Sequence, residues 1–188
     1  YERERVERLL DALADHPLSV ALVAPHLKAR TPDRIREEFG ELLKGFADAA
    51  AAEGRNRSLL ASLAFSKRRL SEAAQAALPY LAWFRGGVLE QLFIIFAELD
   101  PEAWAATRAE LVATALVRVE SIEGFSTPFL RFHPTLPHAA RAADVPDPEA
   151  TERRFIAVYL AHMKATAKAL LGGQPAAAML SMSLEEAN

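Results

Sequence analysis

The side chains able to do chemistry in this chain are few, and their spacing excludes most of the chemistry they could do. Five histidines, His16, His26, His133, His138 and His162, form no i, i+4 pair with a nearby carboxylate, and there is no cysteine to complete a zinc set. Gly40 and Gly45 have the glycine spacing of a phosphate-cradling loop, but Phe46 and Ala47 stand where lysine and Ser/Thr are required. The apolar run Leu92 to Asp100 resembles a strand ending in a magnesium-binding acid, yet Asp100-Pro101 is better read as a helix cap. Gly124 to Pro128 reads as a turn, and no Gly-x-Ser-x-Gly elbow offers a nucleophile. By elimination the chain is not expected to be an enzyme in itself.

Composition narrows the classes further. The 188 residues are 51% hydrophobic and 25% charged; 22 basic against 25 acidic residues leave a net charge of −3, the wrong sign for a general polyanion binder. The absence of cysteine excludes a disulfide framework and makes a reducing cytoplasm the simplest location. No apolar run approaches the roughly 20 residues that span a bilayer, so no membrane partner is expected. The charged start Tyr1-Glu2-Arg3-Glu4-Arg5 is neither an initiator nor a signal peptide, and reads as a cut from something longer.

The elements that must position these residues are mainly helical, because alanine is frequent and β-branched residues are scarce. Val6, Leu9, Leu10 and Leu13 mark a first helix ending near His16-Pro17. A second runs from about Leu18 to Lys28, kinked or shortened at Pro25, and Thr31-Pro32 caps a third that carries Ile35, Phe39 and Leu42 on one face. Asp48 to Arg57 reads as a frayed end and linker, giving a first unit of residues 1–57. Ser58 and Ser71 are read as caps of the next two helices, followed by a buried one over Leu89 to Leu99 and another opened by Asp100-Pro101. Val117 to Glu120 and Phe129 to Phe132 alternate as two strands of a hairpin. Three helices and a hairpin are the element order of a winged-helix domain, residues 58–146. His133-Pro134 ends the second strand, and a helix to about Ala143 follows. Past Pro146-Asp147-Pro148, residues 147–188 form an antiparallel helical hairpin, the expected start of a stacked repeat.

A winged helix raises the possibility of DNA binding through the helix from Glu102 to Ala115. Its single cation is Arg108, faced by Glu102 and Glu110, and the hairpin loop holds Glu120 and Glu123. The basic cluster Lys67-Arg68-Arg69 is the argument in favour, against its reading as a helix end complementing the macrodipole.

Two signatures carry a resemblance. Leu10 to Leu22, with Pro17-Leu18 at its centre and Asp15 and His16 where glycine and leucine are usual, resembles the Gly-Leu-Pro-Leu segment of STAND ATPases of the NB-ARC type. Leu130 to Leu136 resembles the Met-His-Asp motif of the same family, with Phe132 for the methionine, His133 in place and Pro134 for the aspartate. The stretches Asn56 to Ser66 and Leu78 to Gly87 look like the opening helices of that family's winged helix, and the tail resembles the first helices of its superhelical, TPR-like repeats. The resemblance implies a regulatory fragment that closes over ATP or ADP with Mg²⁺ held by a P-loop domain outside this sequence. It implies that Pro17 lies against the adenine and that His133 reaches the β-phosphate. The fragment alone is then expected to bind no cofactor. Its partners would be its own P-loop domain, further repeats downstream and other copies of itself in the active state. The alternative is a DNA-binding module of a transcriptional regulator.

Overall fold

The computed structural model describes residues 2–45, 54–123, 125–134, 136 and 140–188. It is mainly helical, with one small antiparallel sheet. Helix α1 spans Glu2–Ala12 and α2 spans Pro17–Val23. Pro25 shortens α2 as the sequence predicts: the chain tightens into a 3₁₀ turn over Ala24–Lys28. Helix α3, Pro32–Gly45, starts where Thr31 Oγ1 accepts the Arg34 N–H at 3.4 Å, and its apolar stripe buries Ile35, Phe39 and Leu42.

Helix α4, Gly54–Lys67, departs from expectation. Ser58 does not cap it; the helix begins four residues earlier, and the buried Ser58 hydroxyl instead donates to the Leu13 carbonyl at 2.8 Å. The boundary expected after residue 57 therefore falls inside α4. Its one face presents Ser58, Ser62 and Ser66, one turn apart, to α2; Ser66 Oγ donates to Leu22 O at 3.3 Å, while Ser62 Oγ turns back to Ser58 O at 2.8 Å. Small hydroxylated side chains let the helices approach closely while each hydroxyl donates to a carbonyl of the chain. Ala61 and Phe65 complete a core with Leu9, Leu13, Val23, Ile35, Phe39 and Leu42, whereas Leu63 of α4 and Leu22 of α2 belong to the second, larger core.

That second core is built by α5 (Glu72–Leu81), β1 (Gly87–Leu89), α6 (Glu90–Ala97), α7 (Pro101–Ala113), β2 (Val117–Glu120) and β3 (Phe129–Phe132). Ser71 and Asp100 cap α5 and α7 as predicted: Ser71 accepts the Ala74 N–H, and Asp100 those of Glu102 and Ala103. The sheet has three strands, where the sequence predicts a two-stranded hairpin. Gly87–Leu89, whose last residue the sequence assigns to the start of the buried helix, is a third strand, and the sheet order is β1-β3-β2, antiparallel throughout. A three-residue strand buried on both faces has no alternation to betray it. Gly87 is required there, since a Cβ at that position would overlap the Phe129 ring and the Leu130 carbonyl oxygen. Of the helix expected from Pro134 to about Ala143, residues 135 and 137–139 lie outside those described, and Ala142–Asp144 form a 3₁₀ turn.

Helices α8 (Pro148–Leu171) and α9 (Pro175–Glu185) make the predicted antiparallel hairpin, turned at Gly172 and at Gly173, whose φ is +92°. The hairpin packs back on the second core through Phe155 and Tyr159, whose rings contact Phe84, with Phe155 also against Trp83 and Phe96. Among the described residues no helix is long and apolar enough to cross a membrane.

Candidate functional site

His133 is fixed by the sheet. Its N–H donates to Leu116 O at 2.9 Å where β3 ends, and its carbonyl accepts from Leu136 N at 2.9 Å, so the backbone turns sharply and presents the imidazole beside the strand. The half-buried ring lines a surface groove of about 330 Å³ together with Ala82, Phe84, Gly86, Arg131, Phe132, Pro134 and Leu136. Desolvation by these mostly apolar walls holds the His133 pKa below the usual histidine value, so at neutral pH the ring is an uncharged donor and acceptor. Arg131, on the rim, is a fixed cation: its guanidinium pairs with Glu120 at 3.1 Å and lies 4.8 Å from the Phe129 ring centroid.

One wall of this groove is a strap held from both sides. Phe84 and Gly86 face the groove, and the Gly86 carbonyl accepts the Phe132 N–H at 2.9 Å. On the opposite side, main-chain groups of the same strap meet the end of α9. Asn188 Oδ1 accepts the Arg85 N–H at 2.5 Å, Asn188 Nδ2 donates to Gly87 O at 2.9 Å, and Glu185 Oε1 accepts the Leu89 N–H at 2.7 Å. These side chains satisfy the outer edge of β1 as a fourth strand would. Glu185 is buried, and its second oxygen accepts from the Tyr159 hydroxyl at 2.5 Å and from Asn188 Nδ2 at 2.9 Å. Burial, and then the bond to Glu185, push the Tyr159 pKa up, so the phenol stays a donor.

Pro17 is exposed at the first position of α2, after a turn in which Ala14 and Asp15 have φ of 54° and 49°. Asp15 thus takes the left-handed conformation that glycine adopts freely and aspartate tolerates. Next to Pro17, His16 Nδ1 and the Oγ of the fully buried Ser19 are enclosed without a hydrogen-bond partner among the described residues. The structure does not bring Pro17 to the His133 groove, whose walls come from 82–86 and 131–136. Sequence reasoning overlooked Arg131, Glu185 and Asn188. The only signal for Arg131 was its position two residues before His133; the last two had none, since their partners are backbone groups a hundred residues away.

Arg108, Arg69 and His26 are engaged structurally. Arg108, the one cation of α7, bonds both oxygens of buried Glu90 at 2.8 Å, and Glu90 also accepts from Trp104 Nε1 at 2.7 Å. Arg69 stacks over the Phe65 ring at 3.4 Å, donates to Phe65 O at 2.6 Å and pairs with Glu38. That geometry suits a cation closing a helix C-terminus. His26, edge-on to Phe65 and 3.4 Å from Ser66 Oγ, is lowered to a pKa of about 4 by burial and then by Arg69 and Arg30. Among the described residues, no group of three or more histidines or acids is placed to hold a metal. Compared with protein-family models, curated proteins and solved structures, the chain matches none.

Proposed function

We propose that this chain is the nucleotide-sensing lid of a STAND-type signalling ATPase, without catalytic activity of its own and located in the cytoplasm. In this reading α1–α4 are the small helical domain, the unit from α5 to residue 146 is a winged helix, and α8–α9 open a TPR-like repeat. The lid closes over ADP or ATP with Mg²⁺ held by a P-loop domain of the intact protein. Pro17 covers the adenine by apolar contact, and His133 donates one N–H to a β-phosphate oxygen. The observation that carries the reading is the place of His133: it leaves the end of β3 and its half-buried ring lines a groove of about 330 Å³. The order α5-β1-α6-α7-β2-β3 with sheet order β1-β3-β2 supports the winged-helix assignment.

The chemistry of His133 is that of a neutral donor. A charged imidazole would bind a diphosphate more tightly, so ADP affinity in the intact protein should rise as pH falls through the lowered pKa of the ring. Rearrangement of the lid would follow from different contacts in the ADP and ATP states, including assembly with other copies when the lid opens. The test is His133→Ala in the intact protein, read by ADP dissociation rate and by activity. Faster ADP release and a shift toward the active state are expected; unchanged values for both remove His133 from the mechanism. Against the DNA reading, the guanidinium of Arg108 is paired with Glu90.

A further inference from the structure

The outer face of the α8–α9 hairpin is apolar and uncovered. Ile156, Leu160 and Met163 of α8 are 51%, 52% and 63% exposed, and Met182 of α9 is 54% exposed. An open groove of about 520 Å³ runs between the two helices at this face. Ile156, Leu160, Met163, Ala167 and Leu170 line it at i, i+4, i+7, i+11 and i+14, a seam about 21 Å long at 1.5 Å per residue. That matches a partner helix of three to four turns. The polar groups along the groove are already bonded: His162 Nε2 to Ser181 Oγ at 3.1 Å, Thr166 Oγ1 to His162 O at 2.9 Å, and Tyr159 to Glu185. A polar small molecule would find little to bond, whereas an apolar helix face needs only the seam. Methionines at the rim add adaptable surface.

Charge fixes the character of that helix. Tyr159, His162 and Thr166 sit on the side of the seam toward α9. At about 100° per residue, Arg153, Lys164 and Lys168 lie on the opposite side, roughly 60–120° from Ile156. Lys164 and Lys168 are exposed and, among the described residues, have no carboxylate within 4 Å; Arg153 reaches only Glu149, at 3.8 Å. One edge of the seam is therefore basic and the other is closed by α9.

We propose that this groove docks an amphipathic helix of a partner protein, with an apolar i, i+3/i+4, i+7 seam and glutamates or aspartates along one edge. The assignment rests on α8 and α9 alone and needs no nucleotide, so it stands or falls separately from the role of His133. The test uses the 188-residue chain and two fluorescein-labelled designed helical peptides that share a leucine seam, one edged with Glu and one with Lys. The Glu-edged peptide should bind about tenfold more tightly at low salt, and that margin should shrink as salt rises. Lys164→Glu with Lys168→Glu should invert the preference, and Met163→Glu should abolish binding of both peptides at unchanged circular dichroism. Equal affinity for the two peptides, a preference indifferent to the lysine reversals, or no saturable binding overturns the proposal. So does sedimentation showing the face closed by a second copy of the chain, or phosphatidylserine vesicles binding through the same lysines while the peptide does not.

Discussion

Replacing Glu185 with alanine should release the edge of β1. The carboxylate is buried and accepts from the Leu89 N–H at 2.7 Å, the Tyr159 hydroxyl at 2.5 Å and Asn188 Nδ2 at 2.9 Å. Alanine strands the buried Leu89 N–H away from water, at about 1–3 kcal/mol, and takes its acceptor from the part-buried Tyr159 hydroxyl, so a loss of about 3 kcal/mol is expected. Phe155 and Tyr159 still hold the hairpin to Phe84, so the cost should appear first as local opening of the strap. Native-state hydrogen exchange at the Leu89 amide should accelerate about a hundredfold, at 1.4 kcal/mol per tenfold. The Phe132 amide, bonded to Gly86 O on the other side of the strap, should follow in part. Glu185→Gln keeps an oxygen for Leu89 and should lose about 1 kcal/mol. Urea denaturation of the three proteins gives the global comparison. An alanine variant within about 0.5 kcal/mol of the parent, with the Leu89 amide equally protected, would refute the argument that α9 side chains act as the missing strand.

Three further substitutions follow from the packing. Gly87→Ala should lower stability by about 2–3 kcal/mol, because the new methyl overlaps the Phe129 ring and the Leu130 carbonyl; thermal unfolding measures it, and a neutral result would mean that β1 and β3 are not in this register. Glu90→Ala strands Trp104 Nε1 and Arg108. The expected loss is about 2–3 kcal/mol, below that of a fully buried pair because the Arg108 side chain is 34% exposed. Guanidinium-chloride unfolding should show it, and an equal loss in Glu90→Gln would assign the effect to shape instead of charge. His26 supplies a pH dependence. Its folded pKa of about 4 lies below the unfolded 6.5, so the unfolded chain binds the proton first and stability falls as pH drops from about 6.5 to 4, flattening below. With half of the ring's surroundings open to solvent, the loss is of order 1–2 kcal/mol. His26→Gln should remove that part of the slope in urea titrations at pH 7, 5.5 and 4; an unchanged slope would clear His26.

The legible parts of the fold are those whose causes are local in sequence. Caps at Ser71 and Asp100, the break at Pro25 and the glycine stop at 172–173 each depend on one or two residues acting on their own backbone, and each stands where the sequence put it. Strand β1 was hidden because Gly87-Val88-Leu89 is apolar on both faces and opens directly into α6. The start of α4 was hidden because Ser58 has the chemistry of a cap, and only the nearness of Leu13, forty-five residues earlier, turns its hydroxyl to a tertiary bond. Of the candidate site, the exit of His133 from a strand end was legible. The groove beside it was not, since Ala82, Phe84 and Gly86 reach it only through the pairing of β1 with β3.

Helix α4 decides where such a molecule bends most cheaply. Swinging it away from α1–α3 would expose Ala61 and Phe65 and break the bonds from Ser58 to Leu13 and from Ser66 to Leu22. It would also separate Arg69 from Glu38 while leaving the guanidinium on Phe65. Moving everything from α5 onward against α4 instead breaks the smaller set of contacts made by Leu22, Leu63 and the partly buried Leu59. It also breaks no hydrogen bond of the serine ladder. The turn between Lys67 and Glu72 is short and ends in a capped helix start at Ser71; its ties to the part beyond it are the Leu70 carbonyl to Gln75 and the Ser71 N–H to Glu110, which both move with α5 and α7. A lid built from these units would therefore hinge at Arg68 to Ser71, carrying β3 and His133 with the moving part and leaving Pro17 with the part that stays. In the proposed lid, Pro17 and His133 would then lie on opposite sides of that turn, so opening it would draw the two proposed nucleotide contacts apart.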